Sequence, residues 1–287
     1  MTLDPRAREV LQRIEGIAAL PTIARRAIDL LDNPHSNVDQ ICAVASVDPG
    51  LVTLLLRTVN SAYFGLRSRV TSVKHALVIL GIEKFRRLIV ASALMQKFRG
   101  VSKAVDEAFW DHALHAAQWS KEIGRHLRLD NPDDLYICGL IHNTGHFVIL
   151  LYFKSESKII EAAVRSGAPP VRAEKDILGW THAEIGAWLF HHWKMPEEII
   201  ESAFYHHHDL RRVKPKKDLR SSTLVVHLAA ALTDIDPASG AYDYDEKLEK
   251  TFRSHEGLLA LQDIDAVKLS DEVSAACEAV RKIFAKS

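Results

Sequence analysis

The fold is decided by a polar turn between two apolar segments, which reads Cys138-Gly-Leu-Ile-His142-Asn143-Thr-Gly145-His146-Phe-Val-Ile-Leu150. The residues before His142 are small or apolar and predict a buried helix, and an apolar run resumes after His146. Gly145 lies between them and predicts a turn. A histidine at such a place either forms structural hydrogen bonds or holds a ligand, and the stretch alone leaves both alternatives open.

The composition indicates an ordinary soluble protein without net charge. The 287 residues are enough for one large domain or two modest ones, and the 37 basic side chains equal the 37 acidic ones. The three cysteines have no disulfide or zinc spacing, the N-terminus has no apolar signal region, and the longest apolar run, 147–153, is too short to cross a bilayer. We therefore expect a cytoplasmic protein that binds neither membrane nor nucleic acid. Its unusual feature is the presence of 15 histidines.

The N-terminal part of the chain predicts a series of short helices. Apolar residues recur at spacings of three and four over 5–17, and further helices are expected after the breaks at Pro21 and Asp48-Pro49. Gly81 separates a predicted helix over 73–80 from another over 82–96. No segment in this part alternates with a period of two, so an all-α structure is expected.

Three runs in this part resemble the HDOD domain. They are Val47-Asp48-Pro49-Gly50-Leu51, Leu55-Leu56-Arg57-Thr58-Val59-Asn60-Ser61-Ala62-Tyr63-Phe64-Gly65 and Val73-Lys74-His75-Ala76-Leu77-Val78-Ile79-Leu80-Gly81. HDOD domains are helical relatives of the HD metal phosphohydrolases and occur in bacterial signalling proteins, mostly as non-catalytic modules. The resemblance reaches from about Leu20 to His208. It implies an all-α, HD-domain or phosphodiesterase-like multi-helix bundle in two packed helical subdomains.

The residues Asn60 and Ser61 within this match have two alternative roles. Their side chains can satisfy backbone groups at the end of the preceding helix, as asparagine and serine often do. A dedicated contact with a ligand is the other alternative. We favour the first, because it requires no partner outside the chain.

The second half of the chain carries histidines at helical positions that face inward. His112 lies on an apolar helical stripe, and the capping box Thr181-His182-Ala183-Glu184 places His182 in the first turn of a helix. The other members of the stripe are Phe109, Ala116, Trp119 and Ile123, and the later histidines are His206, His207 and His208 at one helix end and His227 within an apolar helix.

Polar connections divide the chain into three predicted segments. They are an N-terminal helical subdomain (1–100), an HD-like helical subdomain with the histidine cluster (101–232), and a C-terminal helical tail (233–287). The tail is expected to pack across the HD-like half, and a homodimer contact through it is the alternative.

The resemblance to the HD-GYP phosphodiesterases, from the same superfamily, places six histidines on metal-binding positions. They are His112, His142, His182, His206, His207 and His227. The first five fall on histidines of those enzymes, and His227 falls where a late aspartate is usual. Any one of them alone is more simply explained as a hydrogen-bonded core residue, whereas five in register favour a metal site. Shared ancestry without function remains the alternative.

The expected cofactor is a transition metal, because neutral imidazoles bind iron, zinc, manganese or nickel. In the related enzymes the motif histidine is followed by an aspartate that bridges two metals. Here Asn143 is neutral and offers only its carbonyl oxygen. We therefore favour a mononuclear site over a binuclear one.

Several departures argue against phosphodiesterase activity. Asn143 replaces the bridging carboxylate, His146 stands where a lysine is common, and no Gly-Tyr-Pro follows His208. The favoured hypothesis is a non-catalytic bacterial signal-transduction protein that acts through protein contacts, or through a ligand or metal in a degenerate HD pocket. The alternatives are a metal-dependent phosphohydrolase acting on a cyclic dinucleotide or nucleotide, and a metal- or redox-sensing module.

The expected partners are signalling proteins or a small anionic ligand such as a nucleotide. The basic run from Arg211 to Arg220 could meet such an anion, although a solvated loop is the simpler interpretation.

Overall fold

Helical periodicity accounts for the regular secondary structure of the chain. The computed structural model describes residues 5–17, 22–60, 70–97, 103–130, 132–210, 220–235 and 241–285. Within these ranges the chain forms fifteen α-helices and no strand, which confirms the all-α prediction. In chain order they are α1 (Pro5–Ile17), α2 (Thr22–Asp32), α3 (Val38–Ala45), α4 (Pro49–Val59), α5 (Val73–Lys97), α6 (Lys103–His126), α7 (Pro132–Ile141), α8 (Thr144–Tyr152), α9 (Lys154–Arg165), α10 (Pro170–Leu178), α11 (His182–His192), α12 (Glu197–Tyr205), α13 (Arg220–Thr233), α14 (Ala241–His255) and α15 (Ala266–Ala285).

The helices group into two compact units. The larger unit comprises Met1–Ala18 and Val101–Ser270, and the smaller comprises Ala19–Gly100 and Asp271–Ser287. Helix α1 therefore belongs with the second half of the chain, where the indole Nε1 of Trp180 donates a 2.8 Å hydrogen bond to the carbonyl of Ala7. The three segments predicted from the sequence stay a prediction about domain organisation.

In the smaller unit, Asn60 closes the end of α4. Its Nδ2 donates to the carbonyl oxygens of Leu56 at 2.8 Å and Val70 at 2.7 Å, and its Oδ1 accepts from the backbone N–H of Val70 at 2.7 Å. These bonds satisfy backbone groups that the helix end leaves open, which is the role favoured for Asn60 from the sequence. Ser61 lies outside the described residues.

Helix α5 is interrupted at Gly81, where the predicted helices over 73–80 and 82–96 meet. The backbone angles there are φ 75° and ψ 169°, a conformation that residues with a side chain rarely adopt. Residues on both sides of the break, such as Leu77 and Phe85, enter the same apolar core.

In the larger unit, α7 is buried along its length from Leu135 to Ile141 and packs against α6 and α13. A Cβ atom on Gly139 would lie 2.6 Å from the carbonyl oxygen of Ala116, so the backbones of α6 and α7 are in close contact. Helix α8 packs against α11 in the same manner at Gly145. The polar turn between α7 and α8 is thereby held inside the unit.

Among the described residues, one segment is long and apolar enough to cross a bilayer. It is Pro132–Tyr152, with a mean hydropathy of 1.3, and it is mostly buried inside the protein. Such burial is typical of the core helices of proteins, which can be as long and as apolar as a membrane span.

Candidate metal centre

His142 lies in the turn between α7 and α8, and its side chain is buried. Its Nδ1 donates to the carbonyl oxygen of Gly139 at 2.7 Å, and because a carbonyl only accepts, the ring hydrogen is on Nδ1. Nε2 therefore presents a lone pair, and no donor within the described part of the chain bonds to it. Burial, followed by repulsion from His112, lowers the pKa of His142 well below its usual value, so the ring is neutral.

His182 is held at the start of α11 by Glu174 of α10. The predicted capping box is present, since Thr181 Oγ1 accepts from the backbone N–H of Glu184 and the Glu184 carboxylate accepts from that of Thr181. This start places the backbone N–H of His182 2.9 Å from Glu174 Oε2 and its Nδ1 2.7 Å from the same oxygen. A carboxylate only accepts, so His182 Nδ1 carries the hydrogen and Nε2 the lone pair.

Glu174 is ionised although it is almost completely buried, with 1% of its surface exposed. Burial opposes its ionisation, but contacts with His146 and His182 outweigh that effect and lower the pKa of the carboxyl to about 2. The interior beside the histidines therefore contains a fixed negative charge.

His206 follows α12, and its Nε2 lies 3.0 Å from Nε2 of His182. Its Nδ1 donates to the carbonyl oxygen of Ala203 at 2.7 Å. Burial, followed by repulsion from His142, lowers the pKa of His206 well below its usual value. The ring centroids of His142 and His206 are 4.8 Å apart, so the rings of His142, His182 and His206 meet in one buried pocket.

His182 and His206 direct bare nitrogens toward one another, and the ring of His142 lies beside that of His206. Each has its Nδ1–H committed to a carbonyl or carboxylate, which is the usual arrangement of metal-bound histidine. The lone pairs of His182 and His206 repel at 3.0 Å unless a proton or a cation lies between them. Two nitrogens about 2.1 Å from one ion lie roughly 3 Å apart when their bonds are at right angles. The donor set therefore fits a transition-metal ion.

His207 completes the group on its accessible side. The ligand nitrogens of His182, His206 and His207 lie within 4.8 Å of one another. His207 is exposed, in contrast to the other two, and its ring centroid is 4.2 Å from that of His206. The pocket therefore has an opening to solvent at His207.

His112 lies at another edge of the pocket. Its ring centroid is 5.4 Å from that of His142, and its Nδ1 is 3.7 Å from Oδ1 of Asp234. Burial, followed by repulsion from His146, lowers the pKa of His112 to about 4. The predicted ligand His112 is therefore brought to the cluster, next to a carboxylate.

His227 has a different environment from the other predicted ligands. Its Nδ1 donates to the carbonyl oxygen of His206 at 2.8 Å, and its ring packs at 5.2 Å against that of His255. Within the described residues it belongs to neither group of side chains whose geometry suits a metal. The structure thus gives His227 a supporting contact with His206, and its assignment as a ligand stays a prediction.

A second group of side chains, His146, Glu174 and His182, also lies within metal-binding distance. His146 Nδ1 is 3.8 Å from Glu174 Oε1, but both oxygens of Glu174 already accept hydrogen bonds from His182. An ion at this place would have to displace the hydrogen from His182 Nδ1. The geometry therefore favours one ion, at the Nε2 side of His182.

Glu174 and Asp234 were not identified from the sequence. A usable signal exists for Glu174, because it stands beside Ala173 on the apolar face of α10, where a charge requires a buried partner. Asp234 directly follows the last residue of α13, yet nothing nearby in the sequence sets it apart. The basic run from 211 to 219 lies outside the described residues.

Residues 17–209 of the chain match the family model of the HDOD domain. The chain belongs to the HDOD domain family. A relative of this HDOD protein, an uncharacterized protein of Treponema pallidum (strain Nichols), is 28% identical over 232 residues. The match covers 79% of this chain and 45% of that relative, so the chain spans about half of the relative's length.

Solved structures show the same fold. A candidate phosphohydrolase from Shewanella amazonensis SB2B superposes with a TM-score of 0.70 at 24% identity, over 96% of this chain and 97% of that chain. An HDOD domain protein of unknown function from Geobacter sulfurreducens superposes with a TM-score of 0.68 at 22% identity, over 97% and 98% of the two chains. These likenesses confirm the predicted HD-type helical architecture.

Proposed function

We propose that this HDOD protein is a non-catalytic bacterial signalling module whose histidine pocket holds one transition-metal ion. The observation that carries the proposal is the approach of the Nε2 atoms of His182 and His206 to 3.0 Å, with a ligand nitrogen of His207 within 4.8 Å and the buried ring of His142 beside His206. Iron, zinc, manganese and nickel all accept such nitrogen ligands. A bound ion supplies a fixed positive charge at the pocket opening.

Two groups at the edge of the pocket suit recognition of a small anion such as a nucleotide phosphate. His207 is exposed, and the side chain of His146 is 41% exposed and can donate a hydrogen bond. With the ion behind them, these rings form a surface that favours negative charge. Occupation of this surface would be the event that the module reports to signalling partners.

The absence of catalysis follows from the residue after His142. Asn143 brings no charge to the pocket, and its buried Oδ1 accepts no hydrogen bond from the described residues. A neutral amide cannot bridge two metals as a carboxylate does, and it does not help to generate a metal-bound hydroxide. The proposal therefore predicts metal binding without turnover.

Turnover assays on metal-loaded protein test this proposal. The wild type and Asn143→Asp are each loaded in turn with Zn²⁺, Mn²⁺, Fe²⁺ or Ni²⁺ and given cyclic dinucleotides and a generic phosphodiester. We expect no hydrolysis above the rate of the free metal for the wild type. Sustained hydrolysis by the wild type that is lost in His206→Ala would contradict a non-catalytic role.

The second candidate function is a metal-dependent phosphohydrolase. It is supported by the names given to fold relatives, among them a candidate metal-dependent phosphohydrolase from Shewanella amazonensis SB2B with a TM-score of 0.61 at 17% identity. In this chain, the carboxylate of Asp234 beside His112 is the feature that favours it, because it places an acidic group at the pocket edge. Hydrolysis by the wild type that disappears in Asp234→Asn would establish this alternative.

A further inference from the structure

Glu174 is a charged side chain in the interior of the protein, beside the histidine pocket. It is 1% exposed, it belongs to α10, and it accepts hydrogen bonds from both the backbone N–H and the Nδ1–H of His182. One bond is from the backbone N–H, and two distances, 2.9 Å and 2.7 Å, join Nδ1 to the two carboxylate oxygens. The carboxylate therefore fixes both the position of this residue and the orientation of its ring.

The choice of acceptor distinguishes His182 from its neighbours. His142 and His206 donate their Nδ1–H to neutral backbone carbonyls of Gly139 and Ala203. His182 alone among these three donates to a charged group. A negative acceptor withdraws the Nδ1 proton more strongly than a carbonyl does, which raises the electron density at Nε2 and makes that nitrogen a better metal ligand.

We propose that Glu174 is a positioning residue for the metal centre, which fixes His182 as the Nδ1–H tautomer and supplies, through that ring, the negative charge that Asn143 does not. This inference rests on the proposed metal-binding function. Three neutral imidazoles leave the charge of a divalent ion uncompensated. Glu174 lies one imidazole away from the ion and offsets part of that charge without being a ligand.

The geometry separates this role from direct coordination. Both oxygens of Glu174 face the Nδ1 side of His182. The nitrogen of His182 that faces His206 is Nε2, on the opposite side of the ring. The imidazole ring therefore stands between the carboxylate and the predicted ion. Direct ligation by Glu174 would place the ion on the Nδ1 side of His182, where it would have to displace the ring hydrogen.

The test compares Glu174→Gln with a matched control, Asp176→Asn. Both changes remove one carboxylate charge from α10, but Asp176 lies on the exposed face, where it pairs with Arg172 at 2.8 Å. Zn²⁺ affinity of the full chain is measured by competition with a chelator, and thermal unfolding of the metal-free proteins reports any loss of fold. The histidine tautomers are read from nitrogen-15 NMR of the metal-free proteins.

We expect Glu174→Gln to bind Zn²⁺ about 10- to 100-fold more weakly than the wild type, as is usual for loss of an outer carboxylate, and Asp176→Asn to match the wild type. The His182 signal should show the Nδ1–H tautomer in the wild type and a mixture in Glu174→Gln. The amide of the variant can donate to Nδ1 and so move the ring hydrogen to Nε2, which removes the lone pair from the pocket.

The outcomes separate this inference from the proposal on which it rests. No Zn²⁺ binding by the wild type overturns the metal centre and this inference together. Normal binding by the wild type with unchanged affinity in Glu174→Gln overturns the positioning role alone. If Glu174→Gln does not fold, the wild-type NMR spectrum still decides, because an Nε2–H tautomer of His182 contradicts the proposed role.

Discussion

The residue at which the pocket most clearly leaves a polar group unsatisfied is His142. Its Nε2 is a buried acceptor to which no described donor bonds. Leaving such a group unsatisfied costs about 1–3 kcal/mol of folding free energy. The Oδ1 atom of the adjacent Asn143 is also buried and accepts no hydrogen bond from the described residues. Two neighbouring residues therefore each have an unsatisfied acceptor in the interior. We expect a bound cation to remove this cost, because the ring of His142 lies beside that of His206.

Substitution of His206 tests the ligand set one residue at a time. His206→Ala removes the nitrogen that lies 3.0 Å from His182 Nε2, so Zn²⁺ affinity should fall by more than the roughly 100-fold typical of losing an outer partner. His191→Ala is the control, because His191 is exposed on α11 and should leave affinity unchanged. Equal affinities of the two variants, measured by chelator competition, would argue against His206 as a ligand.

For His227, in contrast to His206, we expect that substitution leaves the number of bound metal ions unchanged. Since its Nδ1 bonds to the carbonyl of His206 and its ring packs against His255, His227→Ala should keep the metal stoichiometry of the wild type. Affinity should decrease by about tenfold, because the position of His206 is less well fixed. Isothermal titration with Zn²⁺ measures both quantities, and a complete loss of binding would restore His227 as a ligand.

At the scale of helices, the pocket depends on how closely α8 approaches α11. A Cβ atom added to Gly145 would lie 1.9 Å from the carbonyl oxygen of His182 and 2.7 Å from the backbone nitrogen of Gly186. Both contacts are with backbone atoms, which cannot rotate away as a side chain can. The absence of a side chain at Gly145 therefore sets the distance between the turn that carries His142 and the start of α11 that carries His182.

Gly145→Ala tests this contact. We expect it to lower the free energy of unfolding by at least about 2 kcal/mol, since the two helices must separate, and to weaken Zn²⁺ binding as His182 moves. Gly257→Ala is the matched control, because a Cβ there meets no atom within 4 Å. Urea denaturation and metal titration of both variants check the result, and wild-type behaviour of Gly145→Ala would show that the close contact is not required.

At the scale of the whole molecule, the buried neutral histidines make stability depend on pH. The pKa values of His142 and His206 are lowered in the folded protein, whereas the unfolded chain takes up these protons near the usual histidine pKa of 6.5. Their contribution is fully present above about pH 6.5 and is lost as the pH falls below it.

The metal-free protein should therefore lose up to about 1.4 kcal/mol of unfolding free energy per pH unit for each of these two rings below that pH. Urea denaturation at pH 7.5, 6.5 and 5.5 measures the slope. In His206→Ala, which lacks one of these rings, the loss of unfolding free energy per pH unit should be smaller by up to about 1.4 kcal/mol. A stability that is constant over this range would mean that the rings are not held neutral in the folded state.

Much of the fold was predictable because local patterns determine it. Apolar spacing, the capping box at Thr181 and the break at Gly81 each indicated a helix or its end, and the structure contains all three features. The grouping of α1 with the second half of the chain was not predictable in this way, because it depends on contacts such as Trp180 to Ala7 that are distant in sequence.

The candidate site was predictable only in part. Family resemblance indicated the histidines, and the structure gathers His142, His182, His206 and His207, with His112 at the edge. The family resemblance did not indicate Glu174, because the proposed role of that residue depends on which atom of His182 it faces. Glu174 lies on α10 and His182 on α11, so sequence spacing does not specify this contact. Tautomers and hydrogen-bond partners are properties of the packed pocket, and spacing along the chain does not specify them.

The metal content of the full chain tests the central claim most directly. The protein is produced in medium containing iron, zinc, manganese and nickel, purified without chelators, and analysed for these elements alongside His206→Ala. We expect about one transition-metal ion per wild-type chain and a large loss in the variant, because the site needs its neutral imidazole ligands. Fewer than roughly one ion per ten wild-type chains, or equal content in the variant, would contradict it.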